Sequence, residues 1–138
     1  MPVGLRLARS SKAIGYAFNA VLAEAGGSLP AWLVLSSLTS TQWPSQADLA
    51  QSLGIEGATL TKHLDGLEQA GLVRRQRAPD DRRAVRLELT DEGRALHARL
   101  LEVVIAFDRR LRAGLSEKEL ATLDDLLRRL EANVRSPP

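Results

Sequence analysis

The feature that most constrains this chain is an arginine-rich segment at residues 71–90, which reads GLVRRQRAPDDRRAVRLELT. Two alternating runs, residues 72–77 and 84–89, flank the turn-forming residues Pro-Asp-Asp at 79–81, which predicts a β-hairpin. In the second run apolar side chains alternate with polar ones, so one face packs inward while the other stays in water. Because an amphipathic segment directly precedes the hairpin, the order is typical of a winged helix.

The hairpin concentrates positive charge in a chain whose formal net charge is only +2. Between residues 74 and 86 there are six arginines and two aspartates, a local charge of +4. A cationic hairpin can neutralise nucleic-acid phosphates, and arginines suit the minor groove, where narrowing deepens the negative potential. The pattern favours DNA as the partner, with an ordinary solvated hairpin as the alternative.

Composition narrows the class of protein. The chain has 138 residues, of which 44% are hydrophobic, as expected for one globular domain. It contains no cysteine, which excludes disulfides and thiolate metal ligands. We find no apolar run of ~18 residues and no signal segment, so we expect a cytoplasmic protein that does not bind a membrane.

Helical spacing of apolar residues precedes the hairpin. It predicts a first helix over residues 4–25 and a second that opens near Pro30 and runs to about Ser40. A short third helix is expected to follow the N-cap Ser45 and to end at Gly54. The fourth helix is expected over about residues 56–70.

The fourth helix is predicted to be the second helix of a helix-turn-helix. Its leucines recur every three or four residues and form a buried face. At ~100° per residue, this places Ala58, Lys62 and Asp65 on the opposite side, with Thr61 on its flank. We therefore expect Lys62 to contact DNA, since it lies on the outer face of this helix.

Two further helices are predicted after the hairpin. Thr90 caps a long helix that runs to about Gly114, and an S-x-x-E capping box starting at Ser116 opens the last helix. These helices and the first carry apolar stripes larger than a short winged module can cover. Either they fold back as an intramolecular bundle or they pair with a second chain; their heptad-like spacing favours a homodimer.

Several motifs within residues 45–90 match a known family. The sequence Asp-Arg-Arg at 81–83, followed after five residues by Leu-Thr at 89–90, fits a D-x-R-x₅-L-T wing signature. Supporting matches are found at residues 49–55, at 64–68 (LDGLE) and at 71–73 (GLV). On these motifs and the order of its helices, the chain resembles the MarR family of bacterial transcriptional regulators, within it the SlyA-like branch.

This resemblance implies a triangular homodimer that represses promoters until a small ligand binds. It makes Arg83 the wing-tip arginine of the minor groove and Asp81 the salt-bridge partner that orients it. Lys62 takes the basic major-groove position of the recognition helix. Family members often carry arginine there, and lysine is less suited to bidentate guanine contact.

The expected fold class is mainly α with a small β wing, a winged helix-turn-helix flanked by long dimerisation helices. We expect N-terminal dimerisation helices over residues 1–42 and a winged helix-turn-helix DNA-binding module over residues 43–90. C-terminal dimerisation helices are expected over residues 91–138. Together these parts are expected to form one compact MarR-type domain.

The candidate DNA-binding residues lie in the third helix, the fourth helix and the hairpin. They are Ser45, Gln46, Ala58, Thr59, Thr61, Lys62, Arg75, Arg77, Asp81, Arg82, Arg83 and Arg86. Ser45 and Gln46 lie at a helix N-terminus, which suits a phosphate; for them a plain capping role is the alternative. The expected function is a repressor of transcription, and the alternative is a winged-helix protein-interaction module without specific DNA binding.

Phe18 and Trp32 are candidates to line a pocket for a small aromatic or phenolic effector, with ordinary core packing as the alternative. Two histidines without cysteine are a poor basis for a metal site, so no metal or cofactor is expected. No Ser-His-Asp set, phosphate-binding glycine loop or paired-carboxylate motif has a recognisable context. We therefore expect no catalytic residues and no enzymatic activity.

Overall fold

Six helices and one hairpin make up the fold. The computed structural model describes residues 1–78 and 81–137. Within these ranges, it describes only the backbone of residues 77–78 and 81–85. The helices are α1 (Val3–Glu24), α2 (Leu29–Ser40), α3 (Gln46–Leu53), α4 (Gly57–Gln69), α5 (Asp91–Arg112) and α6 (Glu117–Arg135). The antiparallel strands are β1 (Val73–Ala78) and β2 (Asp81–Leu89). The predicted order of elements and the mainly α fold class are confirmed.

Local capping determines where the helices begin and end. Ser45 caps α3, because its hydroxyl accepts from the backbone N–H of Asp48 at 3.1 Å and donates to the Asp48 carboxylate at 2.8 Å. Gly54 ends α3 with a φ of 68°, in the left-handed region that favours glycine. Both boundaries agree with the sequence prediction.

The capping box of α6 is also confirmed. The Ser116 hydroxyl accepts from the backbone N–H of Glu119 at 3.1 Å, and the Glu119 carboxylate accepts from the backbone N–H of Ser116 at 2.9 Å. This second bond stabilises the charged carboxylate and lowers the pKa of Glu119.

The hydrophobic core lies within the first of two compact units, which comprise residues 1–104 and 105–138. Every element from α1 to α5 contributes to this core, including the leucine face of α4. Its buried residues are Leu22, Val34, Leu35, Leu49, Ala50, Leu60, Leu64, Leu67, Val73, Leu87, Leu89, Leu96 and Leu100. The prediction that the α4 leucines point inward is therefore confirmed.

The second unit contains the end of α5 and all of α6. Arg112 joins them, with one guanidinium nitrogen 3.3 Å from the Asp108 carboxylate and another 3.1 Å from the Glu117 carboxylate. These pairs are exposed to solvent, so each stabilises the turn only slightly.

α1 and α2 meet at a sharp corner. Gly26 has a φ of 89°, and the Gly27 N–H donates to the Leu22 carbonyl at 2.9 Å. No single helix among the described residues is long and apolar enough to cross a membrane. Only α1 and α2 taken together reach that length and composition, and they are bent by 73° where they meet.

The hairpin differs from the prediction at its tip. β2 begins at Asp81 rather than at residue 84, so the prediction that Asp81 is a turn residue is wrong. Arg77 pairs with Val85, whereas the next residue, Ala78, pairs with Asp81. This irregularity in the register accommodates the additional residues of β2. The extended backbone of β2 therefore begins earlier in the sequence than the turn propensity of aspartate suggests.

Thr90 closes the base of the hairpin. Its backbone N–H donates to the Leu72 carbonyl at 3.1 Å and its hydroxyl donates to the Gly71 carbonyl at 2.6 Å. The same hydroxyl accepts from the Gly93 N–H at 3.0 Å, which caps α5 as predicted. A Cβ added to Gly93 would lie 2.1 Å from the Leu72 carbonyl oxygen, so the start of α5 has room for glycine alone.

We predict that Gly93→Ala lowers the free energy of unfolding by ~1–3 kcal/mol, because the added methyl group overlaps backbone that cannot move aside cheaply. The matched control is Gly66→Ala in α4, where an added Cβ meets nothing within 4 Å. That control should gain ~0.5–1 kcal/mol from the better helix propensity of alanine. Urea unfolding measures both, and equal stability of the two variants would contradict the close packing at Gly93.

Candidate nucleic-acid interface

The outer face of α4 is exposed to solvent because its buried leucines lie on the opposite side of the helix. The predicted residues on this face, all exposed, are Ala58, Thr59, Thr61 and Lys62. The Thr61 hydroxyl donates to the Gly57 carbonyl at 3.0 Å. Lys62 has no hydrogen bond or ion pair with any residue that the structure describes. Its ammonium is therefore available to an external acceptor.

The N-terminus of α3 supplies backbone amides and one long polar side chain. Ser45 and Gln46 are both half-buried. The Ser45 hydroxyl is engaged as the helix cap, which is the alternative role that the sequence left open for it. Gln46, in the first turn, is the side chain at this end best able to contact a phosphate.

The outward face of the hairpin carries charge. On this face Arg74 lies opposite Glu88, and Gln76 lies opposite Arg86. The side chains of Arg74 and Arg86 are exposed, so Arg86 lies where the prediction requires it.

Four predicted site residues of the wing, Arg77, Asp81, Arg82 and Arg83, have side chains outside the described residues. Their backbone lies within β1 and β2. The salt bridge between Asp81 and Arg83 that the family resemblance implies stays a prediction.

Arg75 lies on the inward face of the hairpin, the same face as the buried Val73. Its side chain is only 21% exposed, and its Nη2 atom forms an ion pair with the Asp65 carboxylate of α4. The backbone N–H of Arg75 donates to the Glu68 carboxylate at 3.3 Å. Arg75 was predicted to bind DNA, and the structure places its guanidinium against α4.

The contact between Arg75 and α4 was not predicted, although the sequence contains a signal for it. Asp65 and Glu68 are three residues apart and so lie on one side of α4. An arginine-containing strand follows after a single turn. Two carboxylates on one side of a helix next to such a strand favour an ion-pair network.

The two candidate pocket residues, Phe18 and Trp32, are half-buried and pack against the core. The Trp32 ring is stacked on the ring of His97 from α5, with centroids 5.1 Å apart and planes 4° apart. This stack was not predicted. His63 of α4 is half-buried.

A separate cavity of about 360 Å³ lies between α2, β2 and the start of α5. It is lined by Leu38, Thr39, Gln42, Leu87, Glu88, Leu89 and Arg94. Neither Phe18 nor Trp32 contributes to its lining. Among the side chains that the structure describes, no three of His, Asp or Glu lie close enough together to hold a metal ion.

Comparison with known proteins identifies the family. The MarR family model matches residues 28–85, from the start of α2 into β2. The transcriptional regulator PA3341 is 37% identical in sequence to this chain. Its crystal structure matches with a TM-score of 0.80 over 97% of this chain and 98% of that chain. The transcriptional repressor CouR, whose structure is bound to a 23-mer DNA duplex, is 30% identical in sequence to this chain. The two structures match with a TM-score of 0.86 over 94% of this chain and 92% of that chain. The PcaV transcriptional regulator from Streptomyces coelicolor is 27% identical with a TM-score of 0.84, covering 98% of both chains.

The chain belongs to the MarR family. Members of this family are DNA-binding transcriptional regulators, so the chain is a regulator and not an enzyme. The matched region includes α3, α4 and most of the hairpin, which are the elements that carry the exposed candidate residues. The finer placement in the SlyA-like branch stays a prediction.

We predict that Gln46→Glu weakens binding to duplex DNA without lowering stability. A carboxylate at this position repels a phosphate, yet it interacts favourably with the positive end of the α3 dipole, by ~0.3–1 kcal/mol. The matched control is Gln51→Glu, which adds the same charge to an exposed position later in α3. Binding titrations and thermal unfolding measure the two effects, and equal losses of affinity in both variants would show that the N-terminus of α3 is not a phosphate site.

Proposed function

We propose that this chain is a sequence-specific repressor that binds a pseudo-palindromic operator as a homodimer and is released by a small ligand. The observation that carries the proposal is the exposed outer face of α4, where Lys62 has no partner in the described part of the chain. The likeness to CouR, a repressor bound to duplex DNA, supports it. Because a regulator that binds DNA must reach the chromosome, we also propose that this protein acts in the cytoplasm.

In this mechanism α4 enters the major groove. The Lys62 ammonium donates to acceptors on base edges, for which the O6 and N7 atoms of guanine are the best matched. The hydroxyl groups of Thr59 and Thr61 can donate to an acceptor or accept from a donor on a base edge, and the methyl of Ala58 can contact a thymine methyl. The N-terminus of α3 contacts a phosphate and thereby fixes the register of α4 on the duplex.

The hairpin adds contacts outside the major groove. Arg83 enters the minor groove, where a narrow A·T-rich segment attracts a guanidinium. Asp81 orients Arg83, while Arg77, Arg82 and Arg86 contact phosphates. Phosphate contacts release counterions, so affinity depends steeply on salt concentration.

Uncovered apolar side chains support the homodimer. Helix α6 exposes 50% of Leu123, 45% of Leu126 and 84% of Val134, and α1 exposes 46% of Leu5 and 44% of Ile14. Several exposed apolar side chains on one helix mark an interaction site. Pairing with a second copy covers it and relates the two α4 helices by a two-fold axis, which suits a pseudo-palindromic operator.

A stacked aromatic pair supports the ligand response. Trp32 of α2 and His97 of α5 are half-buried and stacked face to face, and Phe18 packs against the same core. We propose that an aromatic or phenolic effector inserts beside Phe18 and Trp32. It releases the operator only if it binds the DNA-free conformation more tightly than the DNA-bound one.

The main functional prediction separates Lys62 from Arg83. Lys62→Ala should cost ~1–3 kcal/mol of operator binding and relax preference at one base position per half-site. Arg83→Ala should weaken binding to all sequences, with a shallower salt dependence and discrimination lost at A·T-rich flanks. Asp81→Ala should resemble Arg83→Ala more mildly, because the arginine remains without its orienting partner.

Titrations of these variants against operator and scrambled duplexes at several salt concentrations measure the difference. Lys118→Ala, which removes an exposed lysine of α6, is the matched control and should bind as the wild type does. If the Arg83→Ala variant binds operator DNA with wild-type affinity, the wing does not contribute to DNA binding. A folded wild-type protein that discriminates no duplex would instead favour the protein-interaction module.

We predict that Leu123→Glu converts the homodimer into a monomer, because burying an unpaired carboxylate at an apolar interface costs several kcal/mol, on the order of 3–5. Thr122→Glu is the matched control: it adds the same charge at the neighbouring exposed position and should leave the dimer intact. Sedimentation velocity at micromolar concentration distinguishes the two species. A wild-type chain that stays a soluble monomer under these conditions would disprove the dimer.

A further inference from the structure

One arginine of the hairpin differs from its neighbours in what it contacts. Arg74 is exposed on the outward face, whereas the side chain of Arg75 is only 21% exposed and turns toward α4. The alternation of β1 explains the difference, because successive side chains point to opposite faces of a strand. Val73 is buried on the inward face, so Arg75, two residues later, points the same way.

Four contacts join Arg75 to the recognition helix. Its Nη2 atom is paired with the Asp65 carboxylate and donates to the Thr61 carbonyl at 3.5 Å. Its backbone N–H donates to the Glu68 carboxylate at 3.3 Å, and its Nε atom lies 3.7 Å from the same carboxylate. These contacts are made along two turns of α4, on the side next to its exposed face.

The charge balance of this network argues against a phosphate contact by Arg75. One guanidinium lies between two carboxylates, so the positive charge is already compensated. Its Nε atom is buried and has no hydrogen-bond partner among the described residues, although the Glu68 carboxylate lies close by. Moving the guanidinium to a phosphate would leave Asp65 and Glu68 unpaired on a helix that faces a polyanion.

We propose that Arg75 is a positioning residue, which locks the recognition helix to the hairpin and so determines the angle at which α4 meets the base pairs. The proposal rests on the proposed function, since it concerns how the same site discriminates sequences. Lys62 and Thr61 lie on the turn of α4 that the Arg75 guanidinium contacts. A rotation of α4 about its axis moves these side chains away from their base edges while phosphate contacts elsewhere persist.

The test is a double-mutant cycle between Arg75 and Asp65, read out as affinity for operator and for scrambled duplex. The variants are Arg75→Gln, Asp65→Ala and the double variant. Asp65 is 64% exposed, so its replacement leaves the core intact. Glu88→Ala is the matched control, because it removes a carboxylate from the hairpin outside this network.

We expect each single variant to lower operator affinity about tenfold, the size of losing one base contact, and to leave scrambled-duplex affinity within about twofold. The double variant should be no weaker than the singles, because both remove the same link. The loss in Asp65→Ala is the decisive result, since removing a negative charge should otherwise strengthen binding to DNA. Glu88→Ala should not lose operator affinity.

Two results would overturn the proposal. One is a double variant whose loss is the product of the two single losses, as for independent contacts. The other is an Arg75→Gln variant that weakens operator and scrambled binding equally, with a salt slope shallower by ~0.9, which is the mark of a lost phosphate contact. A wild-type protein that does not discriminate the two duplexes would contradict the proposed function instead.

Folding of the variants is checked by circular dichroism at the assay temperature. If Arg75→Gln unfolds there, Arg75→Lys takes its place in the cycle. Lysine keeps the charge but has no planar fork that reaches two carboxylates, so operator discrimination should still fall. Unchanged discrimination in a folded Arg75→Lys variant would count against positioning by the guanidinium.

Discussion

The hydrogen bonds of Thr90 hold the hairpin and the helices on either side of it together. One side chain and its backbone amide join Gly71 and Leu72, in the connection between α4 and β1, to Gly93 in the first turn of α5. A buried threonine hydroxyl that both donates and accepts leaves no polar atom unpaired there, which is the condition for burying it at low cost. The hairpin therefore leaves the core at a fixed place, and its alternation then decides which arginines face α4 and which face solvent.

The two faces of the hairpin place arginines, which are chemically the same, in different surroundings. Strand alternation leaves the side chains of Arg74 and Arg86 exposed to solvent and turns the side chain of Arg75 toward α4. Exposed cations are available to phosphates, whereas a compensated cation can only hold structure in place. The same logic applies to α4, where leucines face the core and Lys62 faces outward. Burial of apolar groups thus determines which charges are available to a partner.

Much of the fold followed from local patterns, because each boundary depends on residues close in sequence. The Ser45 cap, the Gly54 end of α3 and the Ser116–Glu119 capping box all have this character. The start of β2 was predicted wrongly because register irregularities depend on pairing across the hairpin rather than on turn propensity. The Trp32–His97 stack joins residues distant in sequence, and no periodicity of a single element reports such a contact. The Arg75–Asp65 pair depends on how β1 turns back against α4, which the two carboxylates of α4 indicate only when helix and strand are considered together.

The proposed function requires two copies of the α4 outer face to contact a two-fold symmetric duplex. Hydroxyl-radical footprinting of the wild-type protein, on a duplex selected from random sequences, shows which segments of the duplex it covers. We expect two protected segments related by a dyad, with half-sites about one helical turn, ~10 bp, apart. A single protected segment without symmetry, or no protection at concentrations that saturate binding, would contradict it.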